Sequence, residues 1–220
     1  MRPTLQQKAD FLFQTYFGTK GDELDRFISR AYRDMNRTLH GIGKLEDADK
    51  SRIYSGGKKI IREGFEDLGD LPFPSDKAQA VKEFEEWHSD LCEVLISFYN
   101  GQLKKLAGIS MTHGQAQKWI NMAFKYCWAC GGGSLAGIDP WYEVAHIAVD
   151  EVILVAAEKT GTIGRRPCKK WSKWDNRAEY LEFQKRIREK ATSGNQTPLE
   201  LEYDWWLKYR PSVTGDEDED

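Results

Sequence analysis

Residues Leu103 to Ala129 read LKKLAGISMTHGQAQKWINMAFKYCWA, and this segment is the most informative about the fold. It contains the end of one helix, a short turn at Gly108 and the start of a second helix. Thr112 and Gln115 have the spacing of a capping box at the start of that second helix. The sequence therefore predicts a helix-hairpin-helix over about residues 92–128.

A hairpin of this kind leaves backbone N–H groups unpaired at the N-terminus of its second helix, where the helix dipole also favours an anion. We therefore expect it to bind a phosphate group, with Lys104 and Lys105 beside the turn. The alternative is an ordinary helical hairpin, which is common in any bundle. The other residues predicted to contact the phosphate are Gly108, Ser110, Thr112, His113, Gly114 and Gln115.

Two residues in and after this stretch have the chemistry of a catalytic pair. Lys118 lies near the start of the second helix, opposite the apolar stripe of Ile120, Ala123 and Phe124, so it is predicted to be exposed. Asp150 opens the next apolar helix, where it can act as an N-cap. If the fold brings the two together, an amine nucleophile lies beside a carboxylate. The alternative for Lys118 is an ordinary solvated lysine.

The rest of the chain carries helical periodicity and no long period-2 segment, so the predicted fold class is all-α. Thr197, Pro198 and Glu200 indicate a capping box with proline at the first helical position. Whether the long helix from about Asp76 to Leu106 continues through Asn100-Gly101 stays open. Predicted helices cover about residues 4–17, 22–38, 50–65, 76–106 and 176–191, with further helices after Asp150 and after Pro198.

The chain has 220 residues, of which 40% are hydrophobic and 12% aromatic, and this is enough for one domain with a substantial core, predicted at residues 1–212. The formal charge of −3 argues against a protein that coats nucleic acid nonspecifically. Much of the negative charge lies in a predicted disordered acidic tail, residues 213–220. Basic patches at 58–62, 165–166 and 169–173 can bind a phosphate backbone, although such runs are usually solvated surface.

No segment has the character of a signal peptide or a membrane span, so we expect a cytoplasmic protein with no membrane association. Cys127 and Cys130 form a Cys-x-x-Cys within a helical pattern, and no second such motif follows. Buried thiols are the simpler interpretation of these residues, so we expect no metal and no cofactor.

The segment from about Leu103 to Leu154 resembles the catalytic core of the helix-hairpin-helix DNA glycosylases, most closely the archaeal 8-oxoguanine glycosylases. Residues 117–125 are similar to the helix that carries the catalytic lysine in that family. Ala148-Val149-Asp150 is similar to its Pro-Val-Asp, with alanine in place of proline. The hairpin lacks the usual Gly-x-Gly. The resemblance implies two packed helical lobes with the active site between them, and catalytic roles for Lys118 and Asp150.

By the same resemblance, the chain cleaves the N-glycosidic bond of a modified base that is flipped out of double-stranded DNA, and it leaves an abasic site. The tryptophan-rich C-terminal half is also similar to phage-defence glycosylases that excise α-glucosylated hydroxymethylcytosine, which makes phage DNA the expected partner. No obligate protein partner is implied. The alternatives are an 8-oxoguanine glycosylase/AP lyase of base-excision repair and a noncatalytic helical DNA-binding module. Candidates for the base pocket are Trp119, Met122, Trp141, His146, Trp171 and Trp174.

Overall fold

A computed structural model describes residues 4–108, 110–130 and 135–210, and within these ranges the chain is helical with no strand. The all-α prediction is confirmed. The acidic tail predicted for residues 213–220 lies outside the described residues. The helices of the described ranges are α1 Leu5–Phe17, α2 Glu23–Met35, α3 Asp47–Asp70, α4 Lys77–Ala107, α5 His113–Ala129, α6 Glu151–Lys159, α7 Arg177–Ser193 and α8 Pro198–Tyr209.

Local signals account for where several helices begin and end. The predicted capping boxes at Thr112 and Thr197 are both formed, and a third one starts α1 at Thr4. Helix α4 runs without a break through Asn100 and Gly101. It ends at Gly108, whose φ of 65° is a left-handed conformation that glycine adopts without a steric penalty.

The buried apolar side chains form two clusters. The larger one lies among α2, α3, α4 and α5, and the smaller one joins α6, α7 and α8. The extended segment before α6 passes between them, because Ala148 belongs to the larger cluster while Ile147 and Val149 on either side belong to the smaller one. Alternate side chains of an extended segment point in opposite directions, so this segment links the two clusters.

Helix α5 is buried on nearly every face. Trp119 has no exposed surface, and its Nε1 donates to the carbonyl of Ile28 at 2.9 Å. Gly57 permits this close packing, because a Cβ there would lie 2.7 Å from the indole ring. The prediction that Lys118 lies on an exposed face is therefore wrong: its side chain is only 6% exposed, because α5 has neighbours on both sides of its apolar stripe.

Among the described residues, no helix is both long and apolar enough to cross a lipid bilayer.

Candidate active site

Lys118 and Asp150 form a partly buried ion pair. Nζ of Lys118 donates to Oδ2 of Asp150 at 2.6 Å, and the two side chains are 6% and 21% exposed. Lys118 lies in the second turn of α5, and Asp150 immediately precedes α6. The fold thus brings together the two residues whose proximity the sequence left open.

Asp150 has a structural role as well as the ion pair. Its Oδ1 accepts a hydrogen bond from the amide of Ile153 at 3.0 Å, so the side chain is the N-cap of α6. Burial raises the pKa of Asp150, but the charge and hydrogen bond of Lys118, with the Ile153 amide, outweigh burial and hold the pKa below its usual value. At neutral pH Asp150 is therefore a carboxylate.

Two glutamine side chains hold the extended segment that carries Asp150. Gln117 donates to the carbonyl of Val149 and accepts from its amide, both at 3.2 Å. Gln184 does the same for Ile147, at 2.9 and 3.1 Å. Buried backbone groups need partners, and these glutamines supply the hydrogen bonds that a neighbouring strand would otherwise provide. Because Gln117 directly precedes Lys118, the same turn of α5 carries the amine and positions the carboxylate.

A second buried ion pair contacts the same segment at Ala148, between Ile147 and Val149. Lys125 Nζ donates to Glu202 Oε1 at 2.6 Å, and Oε2 of Glu202 accepts from the amide of Ala148 at 3.3 Å. Burial lowers the pKa of Lys125, but the Glu202 carboxylate outweighs burial and raises it above the usual value. Periodicity alone assigns no role to Gln117, Gln184 or Glu202. The signal present in the sequence is a polar side chain at the spacing of a helix's apolar stripe, as with Gln184 between Phe183 and Ile187.

His146, a candidate for base or phosphate contact, instead belongs to a buried cluster. Its Nδ1 lies 3.1 Å from the hydroxyl of Tyr180, which also accepts from Asn121 at 2.9 Å. His88 and His113 pack against the same tyrosine ring. Burial lowers the pKa of His88 to about 3 and of His113 to about 4, and that of His146 well below its usual value. The three histidines are neutral at pH 7, and His146 has no surface for a ligand.

The hairpin does not present the open amides that the sequence predicts. The amide of His113 donates to Oδ1 of Asp175 at 3.1 Å, and that of Gly114 donates to the carbonyl of Trp174 at 2.7 Å. The amides of Met111, Thr112 and Gln115 donate to side chains at 2.7, 2.9 and 3.2 Å. The turn at residues 171–175 thus occupies the start of α5, which corrects the expectation of a phosphate at these N–H groups. Lys104, Lys105, Gly108 and Ser110 remain exposed.

Of the aromatic candidates, only Trp171 adjoins the ion pair. Trp119 and Trp141 are core residues with no exposed surface, and Trp174 is 5% exposed and packs against Phe183. Met122 is also buried, at 8% exposure. Nζ of Lys118 lies 5.9 Å from the centre of the half-buried Trp171 ring, within the range of a cation–π contact.

Trp171 also lines a cavity of about 750 Å³. Its other walls come from the turn after α2 (Arg37, Thr38, His40), the exposed side of α6 (Glu151, Leu154, Glu158) and the loop of residues 165–172. Lys118 and Asp150 border this cavity through Trp171 and Glu151 rather than lining it themselves. The arrangement places an amine, a carboxylate and an aromatic plane beside a polar cavity large enough for a base.

Within the described ranges, no group of three or more His, Cys, Asp or Glu side chains is arranged to hold a metal ion. Cys127 is buried while Cys130 and Cys168 are exposed, and burial raises the pKa of the Cys127 thiol to about 12. Thiolate chemistry at Cys127 is therefore disfavoured at neutral pH. No protein-family model, curated protein or solved structure matches the chain.

Proposed function

We propose that this protein is a DNA glycosylase that uses Lys118 and Asp150 to cleave the N-glycosidic bond of a flipped, modified base. The observation that carries the proposal is the 2.6 Å contact between the Lys118 amine and the Asp150 carboxylate beside an open cavity. The two apolar clusters, which are linked by the segment that leads into Asp150, support an active site between two helical lobes. The resemblance of residues 103–154 to the family's catalytic core supports the same assignment.

The chemistry begins with the ion pair. Asp150 accepts a proton from the Lys118 ammonium along the short hydrogen bond, which leaves a neutral amine. The amine attacks C1′ of the sugar, the C1′–base bond breaks, and the departing base takes the proton that Asp150 received. Asp150, again an anion, stabilises positive charge that develops on the sugar. The C1′–O4′ bond then breaks as the Lys118 nitrogen gives up a proton, which ends on O4′, and forms a double bond to C1′. Water hydrolyses this Schiff base, which leaves an abasic site and the free Lys118 amine.

The substrate we propose is α-glucosyl-hydroxymethylcytosine in phage DNA. A cavity of about 750 Å³ lies within the usual range for ligand sites and leaves room for a base that carries a sugar. Trp171 offers a ring on which a base can stack, and Thr38, His40 and Ser172 offer hydrogen-bonding groups. 8-oxoguanine carries no sugar substituent, so it does not need this additional polar volume.

The test is release of free base from glucosylated phage DNA and, in parallel, from a duplex that contains 8-oxoguanine. We expect release from the first substrate, and roughly a 100-fold or greater loss in both Lys118→Ala and Asp150→Asn. Borohydride should trap a covalent complex with the wild-type protein and none with Lys118→Ala, because reduction requires the imine nitrogen of Lys118.

Lys82→Ala is the matched control, because Lys82 lies on the exposed face of α4 and pairs only with Glu86 at 3.8 Å. It should release base at the wild-type rate. If free base is released only from the 8-oxoguanine duplex, the proposed substrate is wrong and the proposed chemistry holds. Full activity of both Lys118→Ala and Asp150→Asn would eliminate the mechanism.

A further inference from the structure

The cavity beside Trp171 has an unusual charge balance. The acidic side chains among its lining residues are Glu151 and Glu158, and both are engaged by Arg166, at 2.7 and 2.8 Å. Arg166 therefore pairs with both carboxylates and offsets one of their two negative charges. Four further cations line the same cavity, and all are exposed: Arg37, Arg165, Lys169 and Lys170.

Within the part of the chain that the structure describes, none of these four cations forms an ion pair. They come from two separate segments that line the same cavity, the turn after α2 and the loop before Trp171. Like charges around one cavity repel, and the repulsion is relieved when an anion binds near them. The anion that fits here bears several charges, because four such cations line the cavity.

The basic patch at residues 58–62 lacks this property. Arg62 is paired with Asp22, Asp25 and Glu66 at 2.7, 2.8 and 2.9 Å. Lys58 pairs with Asp25 at 2.9 Å, and Lys59 contacts Glu63 at 3.6 Å. A phosphate at that surface would have to compete with carboxylates that are already in place.

We propose that the cations of the Trp171 cavity, rather than the backbone amides of the hairpin, hold the phosphate backbone of the DNA strand that carries the target base. This inference rests on the proposed function and deepens it by assigning the surface that contacts the partner. The amides of His113 and Gly114 are occupied by the turn at residues 171–175, whereas the four cations are exposed. The DNA backbone then passes beside the Trp171 ring, which contacts Lys118.

The test is binding of a short, undamaged, fluorescein-labelled DNA duplex, followed by fluorescence anisotropy between about 50 and 200 mM salt. We expect Lys169→Ala/Lys170→Ala to weaken binding roughly 10- to 100-fold at about 100 mM salt. The dependence of log K on log salt should become shallower by about 1.8, because each lost phosphate contact removes about 0.9 from the slope. Arg37→Ala, in the turn after α2, should make the slope shallower by about half as much.

Two double variants with the same change in charge serve as comparisons. Lys58→Ala/Lys59→Ala alters the paired basic cluster and should leave the slope unchanged. Lys104→Ala/Lys105→Ala alters the lysines beside the hairpin turn, and a larger loss there than in the cavity variant would overturn the inference. An equal loss in all three double variants, or no binding of DNA by the wild-type protein, would also overturn it.

The assay uses undamaged DNA and requires no chemistry, so its outcome is separate from that of base release. If DNA binds through the cavity but no base is released, the DNA-binding inference holds and the glycosylase mechanism is wrong. If the cavity variants change neither base release nor the salt slope, the glycosylase mechanism holds and the DNA-binding inference is wrong.

Discussion

At the scale of single residues, Asp150 combines two tasks that are usually separate. One carboxylate oxygen caps α6 through the Ile153 amide, and the other accepts from Lys118. The cap fixes the side-chain rotamer, so the carboxylate already faces the amine before any substrate binds. A buried ion pair contributes little net stability, but removing one partner leaves the other charge in a poorly solvated site.

We expect Asp150→Asn to lower the free energy of unfolding by roughly 3 kcal/mol, because asparagine preserves the cap but leaves the Lys118 ammonium without a counter-charge. Adding Lys118→Met should restore most of that loss, since the double variant buries no charge at this site. Urea denaturation followed by tryptophan fluorescence measures both. If the double variant is no more stable than Asp150→Asn alone, the ion pair is not the source of the loss.

The contribution of the Asp150 cap to stability is measured by a second comparison, in which both variants contain Lys118→Met. Lys118→Met/Asp150→Ala should be about 1 kcal/mol less stable than Lys118→Met/Asp150→Asn, because alanine cannot accept from the Ile153 amide. Equal stability of these two double variants would mean that the cap contributes nothing.

At the scale of elements, the start of α5 is a docking point for a distant turn. Gly114 donates to the carbonyl of Trp174 at 2.7 Å, and Thr112 Oγ1 donates to the carbonyl of Ser172 at 2.9 Å. A Cβ at Gly114 would lie 2.0 Å from the carbonyl oxygen of Trp171. Glycine is required here by the close approach of the turn, and this contact fixes Trp171 beside Lys118.

We therefore expect Gly114→Ala to destabilise the protein by about 1–3 kcal/mol, the usual cost of overpacking a close contact, and to weaken DNA binding because the turn must move away. Thermal unfolding and the anisotropy assay measure the two effects. Gly101→Ala is the control: it lies within α4 with nothing near its Cβ, so it should be neutral or stabilise by up to about 1 kcal/mol. Wild-type stability of Gly114→Ala would contradict the docking contact.

At the scale of the whole molecule, the polar groups buried between the two apolar clusters make stability depend on pH. His88, His113 and His146 are buried with pKa values below the 6.5 of an exposed histidine. Below pH 6.5 the unfolded chain takes up protons that the folded protein excludes. The free energy of unfolding therefore has its full value above about pH 6.5 and decreases as the pH falls toward 4.

Each of these histidines should contribute a slope of up to about 1.4 kcal/mol per pH unit between pH 6.5 and its folded pKa. We expect His113→Phe to remove one such contribution at little cost at pH 7, because neither ring nitrogen of His113 has a hydrogen-bond partner in the described structure. Urea denaturation at pH 7, 6 and 5 and constant ionic strength measures the slope. His40→Gln, at an exposed position, should leave the slope unchanged, and an unchanged slope in His113→Phe would refute this account.

Features that depend on near neighbours along the chain can be predicted from the amino-acid sequence. Helix boundaries followed from side chains within one turn, as at Thr112, Thr197 and Gly108, because capping is a contact between residues three or four apart. The pairing of Lys118 with Asp150 was also anticipated, through the order of the hairpin, the lysine helix and the aspartate. The all-α class followed from the same local periodicity.

Tertiary structure alone decided which surfaces are open. Periodicity places an apolar stripe on α5 but does not reveal that neighbours also cover the opposite face, so Lys118 was expected in solvent and is buried. Likewise, the amides at the start of α5 are unpaired only if no other segment reaches them, and residues 171–175 do. Burial and hydrogen-bond satisfaction depend on partners far away along the chain, and local sequence carries no record of where those partners lie.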